Sequence, residues 1–284
     1  MLKKIFFAAA LLLASELGAK PVVIASIAPV EYLAKAVGGD KIEVQSLAKG
    51  DVHSYEPKPN DMKAVAKASI FIAAGLEFEE AWIPRFKASA KNLVVVQSDA
   101  KIAKLKEERG EQAEHDEKHE AHADPHVWLN PMLAITMARN ISDALIDMDK
   151  ANKDFYLENF QKLMNDLLAF DESAKNELAG LKNRKFVVYH PAWGYFAAHY
   201  DLEQISIERS GKEPKIDEMA STLKMIKDEN IKVIFADPNR SQKSAQILAS
   251  QTGAKVELLD PLGYNLLENL KIAVGAIKDA NSPK

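Results

Sequence analysis

The chain contains no cysteine. Disulfides, thiolate metal ligands and cysteine nucleophiles are therefore excluded, and any bound metal has to be held by nitrogen and oxygen. Nor is there an excess of basic charge: 37 Lys and Arg stand against 41 Asp and Glu, a formal net charge of −4. Nucleic-acid partners need clustered basic residues to meet phosphate, so this balance argues against them. Past the N-terminal residues no stretch approaches the roughly eighteen consecutive apolar residues of a bilayer span, so the mature chain is not expected to insert in a membrane. A compact zinc signature such as HExxH is also missing.

The N-terminus MLKKIFFAAALLLASELGA carries two lysines, then an apolar run from Ile5 to Leu13, then small residues at Gly18 and Ala19. That layout predicts a secretory signal peptide over residues 1–19, and the run is too short to span a bilayer. Cleavage after Ala19 leaves 265 of the 284 residues, and loss of Lys3, Lys4 and Glu16 moves the formal charge from −4 to −5. No cysteine follows the expected cut, so a lipid anchor is not expected. The mature protein is predicted to be exported and soluble, with length enough for two domains.

Short apolar runs alternate with helical patterns in both halves. PVVIASI (Pro21 to Ile27), IEVQSLA (Ile42 to Ala48), SIFIAAG (Ser69 to Gly75) and NLVVVQS (Asn92 to Ser98) read as strands. KFVVYH (Lys185 to His190), LEQISIE (Leu202 to Glu208), IKVIFAD (Ile231 to Asp237) and KVELLD (Lys255 to Asp260) repeat the theme. Their near-continuous hydrophobicity suits parallel strands buried on both faces, and two such sets interleaved with helices predict two α/β domains. Between them Tyr156, Phe160, Leu163, Leu167, Phe170, Ala174, Leu178 and Leu181 recur every three or four residues, and no glycine or proline interrupts Ala151 to Ala179. One long helix is predicted there, a stiff strut and not a flexible linker. The expected division is residues 20–148, a linking helix over 149–181, and residues 182–284.

The segment from Lys106 to Asp124, KEERGEQAEHDEKHEAHAD, has no hydrophobic period and almost no apolar residue beyond alanine. It cannot bury enough surface to order itself and reads as a surface loop inserted in the first domain. Directly after it, Asn130-Pro131 has the pattern of an N-cap followed by proline at the first helical position.

In open parallel sheets ligands bind beyond the carboxyl ends of the strands. His53 follows the second strand, His190 closes the fifth, Asp260 closes the eighth, and His126 precedes a helix start. Three imidazoles and one carboxylate make an N3O set suited to Zn²⁺. Each residue also has a plainer reading. A histidine at a strand end can be a hydrogen-bonded loop residue, Asp260 before Pro261 can cap a turn, and His199 reads as a surface or packing histidine. A zinc hydrolase with water on an open position is the rival from another class, although only Glu208 is conceivable as its base.

GDVHSYEPKPND, ADPHVWLNP, VVYHPAWGYFAAHYDL, GKEPKIDEMASTL and VELLDPLG resemble, in order, the motif series of the cluster A-I metal solute-binding proteins, the zinc- or manganese-binding subunits of ABC importers. The resemblance spans essentially the whole mature chain, with the strut between the second and third motifs. It implies two α/β domains, each with a roughly four-stranded parallel sheet, joined by a rigid helix. It implies metal held in the interdomain cleft by His53, His126, His190 and either Asp260 or a water, with Asp260 favoured. It also implies a periplasmic monomer that makes and breaks no bond and hands its ion to an inner-membrane ABC permease.

Manganese-binding relatives tend to have a carboxylate at the third position, so His190 points to zinc. Some zinc members place a glutamate just before the first histidine, where Val52 stands here. A histidine-bearing acidic loop is typical of the zinc branch, and His115, His119 and His122 are candidate ligands of a weak secondary site. Binding is expected to fall as pH drops through the histidine range. With an unbroken strut, release is expected from rearrangement of ligand loops and not from a large domain rotation.

Overall fold

A computed structural model describes residues 20–106, 123–208 and 216–281. The leader expected over 1–19, and His115, His119 and His122, lie outside the described residues. Every predicted strand forms. In the first half these are β1 (Val22–Ala25), β2 (Glu43–Ser46), β3 (Ile70–Ala73) and β4 (Val94–Gln97), and in the second β5 (Lys185–Val188), β6 (Glu203–Ser206), β7 (Val233–Ala236) and β8 (Lys255–Leu258). They make two parallel sheets with orders β2-β1-β3-β4 and β6-β5-β7-β8. The second sheet thus repeats the topology of the first.

Burial on both faces holds only for the central strands. β3 and β7 are buried at every residue and β1 and β5 at all but the first, whereas β2, β4, β6 and β8 are largely half-buried or exposed. The reason is position: the second group are the edges of each sheet, where one flank meets solvent and helices cover less of the face. Apolar runs such as VVVQ and KVEL do not reveal that difference.

Helices α1 (Ala28–Gly38), α2 (Pro59–Val65), α3 (Glu77–Ser89) and α4 (Pro131–Met148) belong to the first half. α4 begins as its sequence predicts, with the Asn130 side chain accepting from the N–H groups of Met132 (2.9 Å) and Leu133 (3.3 Å) and Pro131 at the first position. The strut is a single helix, α5 (Lys153–Leu178), 26 residues and hence about 39 Å long. Its buried stripe is Tyr156, Phe160, Leu163, Leu167, Phe170, Ala174 and Leu178. Leu181 lies past its end, beyond Gly180. The start is pinned by Asp149, whose Oδ2 accepts from Tyr156 Oη (2.8 Å) and Asn152 Nδ2 (2.7 Å).

The second half adds α6 (Gly194–His199), α7 (Ile216–Asp228), α8 (Lys243–Thr252) and α9 (Leu266–Asn281). α5 packs on α4, α1 and α9. One continuous hydrophobic cluster therefore runs from the first sheet through α5 and α9 to Phe186 and Phe235 of the second sheet. A smaller cluster around Ile234, Ile226 and Leu248 fills the far side of the second half. No helix among the described residues is long and apolar enough to cross a membrane.

The strut's packing sets a stability test. Leu167 is fully buried and its neighbour Leu168 is 40% exposed. Leu167→Ala is expected to cost roughly 2–5 kcal/mol, and Leu168→Ala at most about 0.5 kcal/mol, measured by urea unfolding. Equal costs would mean that the buried stripe does not carry the contact between the halves.

Candidate metal centre

The carboxyl ends of the strands deliver the site. Backbone bonds prolong the ladders past the strand ends: Leu47 N–H to Ala25 O (2.8 Å) and Ala48 N–H to Ser26 O (2.9 Å) lead into the loop that carries His53. In the second sheet Tyr189 N–H to Phe235 O (2.7 Å) and Glu208 N–H to Tyr189 O (2.8 Å) fix where His190 and Glu208 emerge, side by side. His126 comes from between the sheets, where a short 3-10 turn (Val127–Leu129) leads into α4. Trp128 anchors that turn, fully buried and donating Nε1–H to Pro261 O across the molecule (2.8 Å).

These three histidines converge. One ring nitrogen from each lies within 4.8 Å of the other two, the only such group of three metal-competent side chains among the described residues. His53 Nε2 and His190 Nε2 are 3.2 Å apart. A tetrahedral zinc with Zn–N distances of about 2.0–2.1 Å separates its nitrogens by roughly 3.3 Å, so the pair already spans one ion. His126 and His190 are buried and His53 is half-buried, leaving the His53 side as the approach.

Each buried ring is held from behind by a carboxylate. Asp124 Oδ1 accepts from His126 Nδ1 (2.8 Å) and from its backbone N–H (2.9 Å). Glu208 Oε2 accepts from His190 Nδ1 (2.8 Å). With the proton on Nδ1, both rings present the Nε2 lone pair forward, the tautomer a metal ligand needs. Asp124 is fixed in turn by Tyr195, whose Oη donates to Asp124 O (2.8 Å) and accepts from Leu105 N–H (2.8 Å). Gly194 also lets α6 come close, since a Cβ there would sit 3.1 Å from Asp124 Oδ2.

Burial pushes the His53 imidazole down to about 3, helped by His190, His126 and Arg240 nearby. The same causes, burial first and then His126 and Arg240, hold His190 well below the ordinary histidine value. Both rings are therefore neutral at pH 7 and can accept a cation without first losing a proton.

Asp260, the fourth residue expected, is not brought into the group. Its Oδ1 accepts from Leu262 N–H (2.9 Å) and Asn239 Nδ2 (2.8 Å), which is the turn-capping role open to an aspartate before Pro261. His199 is a packing residue, with Nε2 against Asp171 Oδ1 (2.6 Å) on α5 and its ring on Tyr200. The histidine-bearing loop also begins later and ends earlier than expected. Lys106 and Ala123 form an antiparallel bridge, Asp124 N–H bonds Leu105 O (2.9 Å), and Asp124 is buried.

Sequence reasoning missed Asp51, Asp124 and Arg240, and Glu208 entered it only as a conceivable base for the rival hydrolase, a role its spacing did not support. Glu208 stands behind His190 at Nδ1 and away from its Nε2, and Arg240 Nη1 donates to both its oxygens (2.6 Å each). Asp51 and Asp124 each left a signal, because an aspartate two residues before a histidine can close an Asx turn.

The family described as ZnuA, "Zinc-uptake complex component A periplasmic", matches residues 23–280. The high-affinity zinc uptake system protein ZnuA of Bacillus subtilis (strain 168) is 30% identical over 284 residues, covering 93% of this chain and 88% of that protein. A crystal structure of ZnuA superposes with a TM-score of 0.87 at 34% identity, covering 93% of this chain and 100% of the other. A ZnuA deletion mutant with zinc bound gives a TM-score of 0.86 at 34% identity, over 93% of this chain and 99% of its own. Likeness of this extent is a property of the whole fold and not of one local motif, and the chain belongs to the ZnuA family.

Proposed function

We propose that this chain captures Zn²⁺ between its two halves and delivers it to an inner-membrane ABC permease. In this reading it works as a periplasmic monomer after loss of residues 1–19, with residues 20–148 and 182–284 as lobes on either side of a linking helix within 149–181. The observation that carries the proposal is the convergence of His53, His126 and His190, two of them backed at Nδ1 by buried carboxylates. Three imidazoles are a borderline-soft donor set that favours Zn²⁺ over Mn²⁺, and His190 supplies nitrogen where a carboxylate would favour manganese. The relatives named above carry zinc uptake in their descriptions, which supports the same ion and the same kind of partner.

The fourth position is filled by water, or by Asp260 once its carboxylate leaves Asn239. A hydrolase would need a free general base beside that water. Glu208 is occupied by Arg240 and His190 Nδ1, which supports binding without catalysis. His115, His119 and His122 make a weak secondary site in this reading.

Calorimetric titration of the metal-stripped protein is expected to give one tight Zn²⁺ event and much weaker Mn²⁺ binding. His190→Ala is expected to lose the tight event, while deletion of residues 110–123 removes weaker events and leaves it. Tight Mn²⁺ binding, or a His190→Ala variant equal to wild type, overturns the reading.

The depressed imidazoles shift the pH dependence away from the ordinary histidine range. Three unperturbed ligands would together lose affinity roughly a thousandfold between about pH 7.5 and 5.5. Because burial holds His53 down to about 3 and His190 well below the ordinary histidine value, the loss is expected to fall short of that figure. For folding the sign is the reverse of a gain. Below the ordinary value the unfolded chain binds more protons than the folded one, so stability falls as pH falls. Metal-free protein is thus expected to melt at its plateau temperature above about pH 6.5 and progressively lower as pH falls towards 3. A thousandfold affinity loss by pH 5.5, or a flat melting profile, would show that the rings titrate normally.

A further inference from the structure

One guanidinium connects the two sheets at the site. Arg240 follows β7 and its side chain is only 12% exposed. Its Nη1 donates to Glu208 Oε1 and Oε2 (2.6 Å each), and its Nη2 reaches across to Asp51 Oδ1 (3.1 Å) in the loop after β2. Each carboxylate is itself attached to one of the histidines. Glu208 accepts from His190 Nδ1 (2.8 Å), and Asp51 Oδ1 accepts from the backbone N–H of His53 (3.2 Å), with Ser54 Oγ on its other oxygen (3.2 Å). Arg240 is thereby wired, through one carboxylate on each side, to the ring of His190 in one half and to the backbone of His53 in the other. His126 stands outside this network, held by Asp124 alone.

We propose that Arg240 is a positioning residue for metal capture: it holds the His53 loop against the second half through Asp51 and orients His190 through Glu208, so that the site is formed before the ion arrives. The inference rests on the zinc-binding reading above. Arginine suits the task because its planar fork can serve two carboxylates at once, whereas a lysine ammonium is a single point charge. The pairing also keeps Glu208 behind His190, where it acts on the ring and not on the ion. Arg240 places a positive charge beside the cation, with Nη1 only 3.2 Å from His190 Nδ1, so it does not serve the site by attraction. Its contribution is geometry. Breaking the Asp51 arm frees only the half-buried His53, the ligand on the approach side, and that step gives a route for release without rotation of the lobes.

The test measures Zn²⁺ affinity and the rate of Zn²⁺ loss to an excess of chelator, for wild type, Asp51→Asn, Arg240→Met, Arg240→Lys and the Asp51→Asn/Arg240→Met double variant. Asp51→Asn keeps an acceptor for the His53 N–H while removing the charge that Arg240 grips. It is expected to speed Zn²⁺ loss and to raise amide exchange in residues 50–55, leaving the amides of β5 and β7 unchanged. Arg240→Met is expected to weaken binding about 10- to 100-fold, and Arg240→Lys to recover only part of it. Once Arg240 is methionine, adding Asp51→Asn is expected to cost nothing further.

Release from Asp51→Asn at the wild-type rate overturns the inference, as does an Asp51→Asn effect of full size in the Arg240→Met background. Should Arg240→Met fail to fold, Asp51→Asn with its exchange readout decides alone. If wild type binds zinc tightly and His190→Ala abolishes binding while these variants behave as wild type, only this inference fails. If wild type has no tight zinc site, the underlying reading fails with it.

Discussion

Two imidazole nitrogens 3.2 Å apart, with a third close by, make an arrangement that ring rotation would scatter if nothing held the rings from behind. The hold comes from buried carboxylates at Nδ1. Asp124 and Glu208 fix tautomer and orientation, and both are set in place by backbone: Asp124 by Leu105 and Tyr195, Glu208 by the ladder bond to Tyr189. A metal ligand is only as well placed as the group that orients it. Much of the surrounding structure serves to put these two carboxylates where they are.

The halves that contribute the ligands do not have separate interiors. The main hydrophobic cluster passes through α5 and α9 from one sheet to the other, and Trp128 bonds Pro261 across the same boundary. Close packing of this kind resists continuous deformation, so changes at the site are confined to loops that the core does not hold. The His53 loop is tied to the core at Val52 but is partly exposed on either side of it. It carries the one ligand ring that is only half-buried, and its link to the second half is polar, through Asp51 and Arg240. A cavity of about 410 Å³ beside it, bordered by Lys49, Gly50, Asn239 and Tyr264, gives the loop space on that flank.

The element pattern was legible because it rests on local periodicity. Apolar-rich runs of six or seven residues marked every strand, the Asn130-Pro131 pair marked the start of α4, and the unbroken spacing from Tyr156 to Leu178 marked the strut. The convergence of His53, His126 and His190 was inferred from strand ends together with a motif series, and each position was named in advance. What failed to read was pairing. Asp260 carries the right chemistry at the right strand end, yet its carboxylate caps its own turn and bonds Asn239. Arg240 gave no signal at all, since its partners lie 32 and 189 residues away.

By itself, then, the sequence determined the periodic elements, the absence of thiolate ligands, and the three residues able to present imidazole nitrogen at strand and turn ends. Those are local properties: side-chain chemistry, apolar spacing and the direction in which a parallel strand delivers its last residue. Only the tertiary structure decided which carboxylate stands behind which ring, which aspartate is taken up by a turn, and which cation bridges the halves. Such choices depend on contacts between segments far apart in the chain, brought to hydrogen-bonding distance by a core that forms only when both sheets and the strut are packed together.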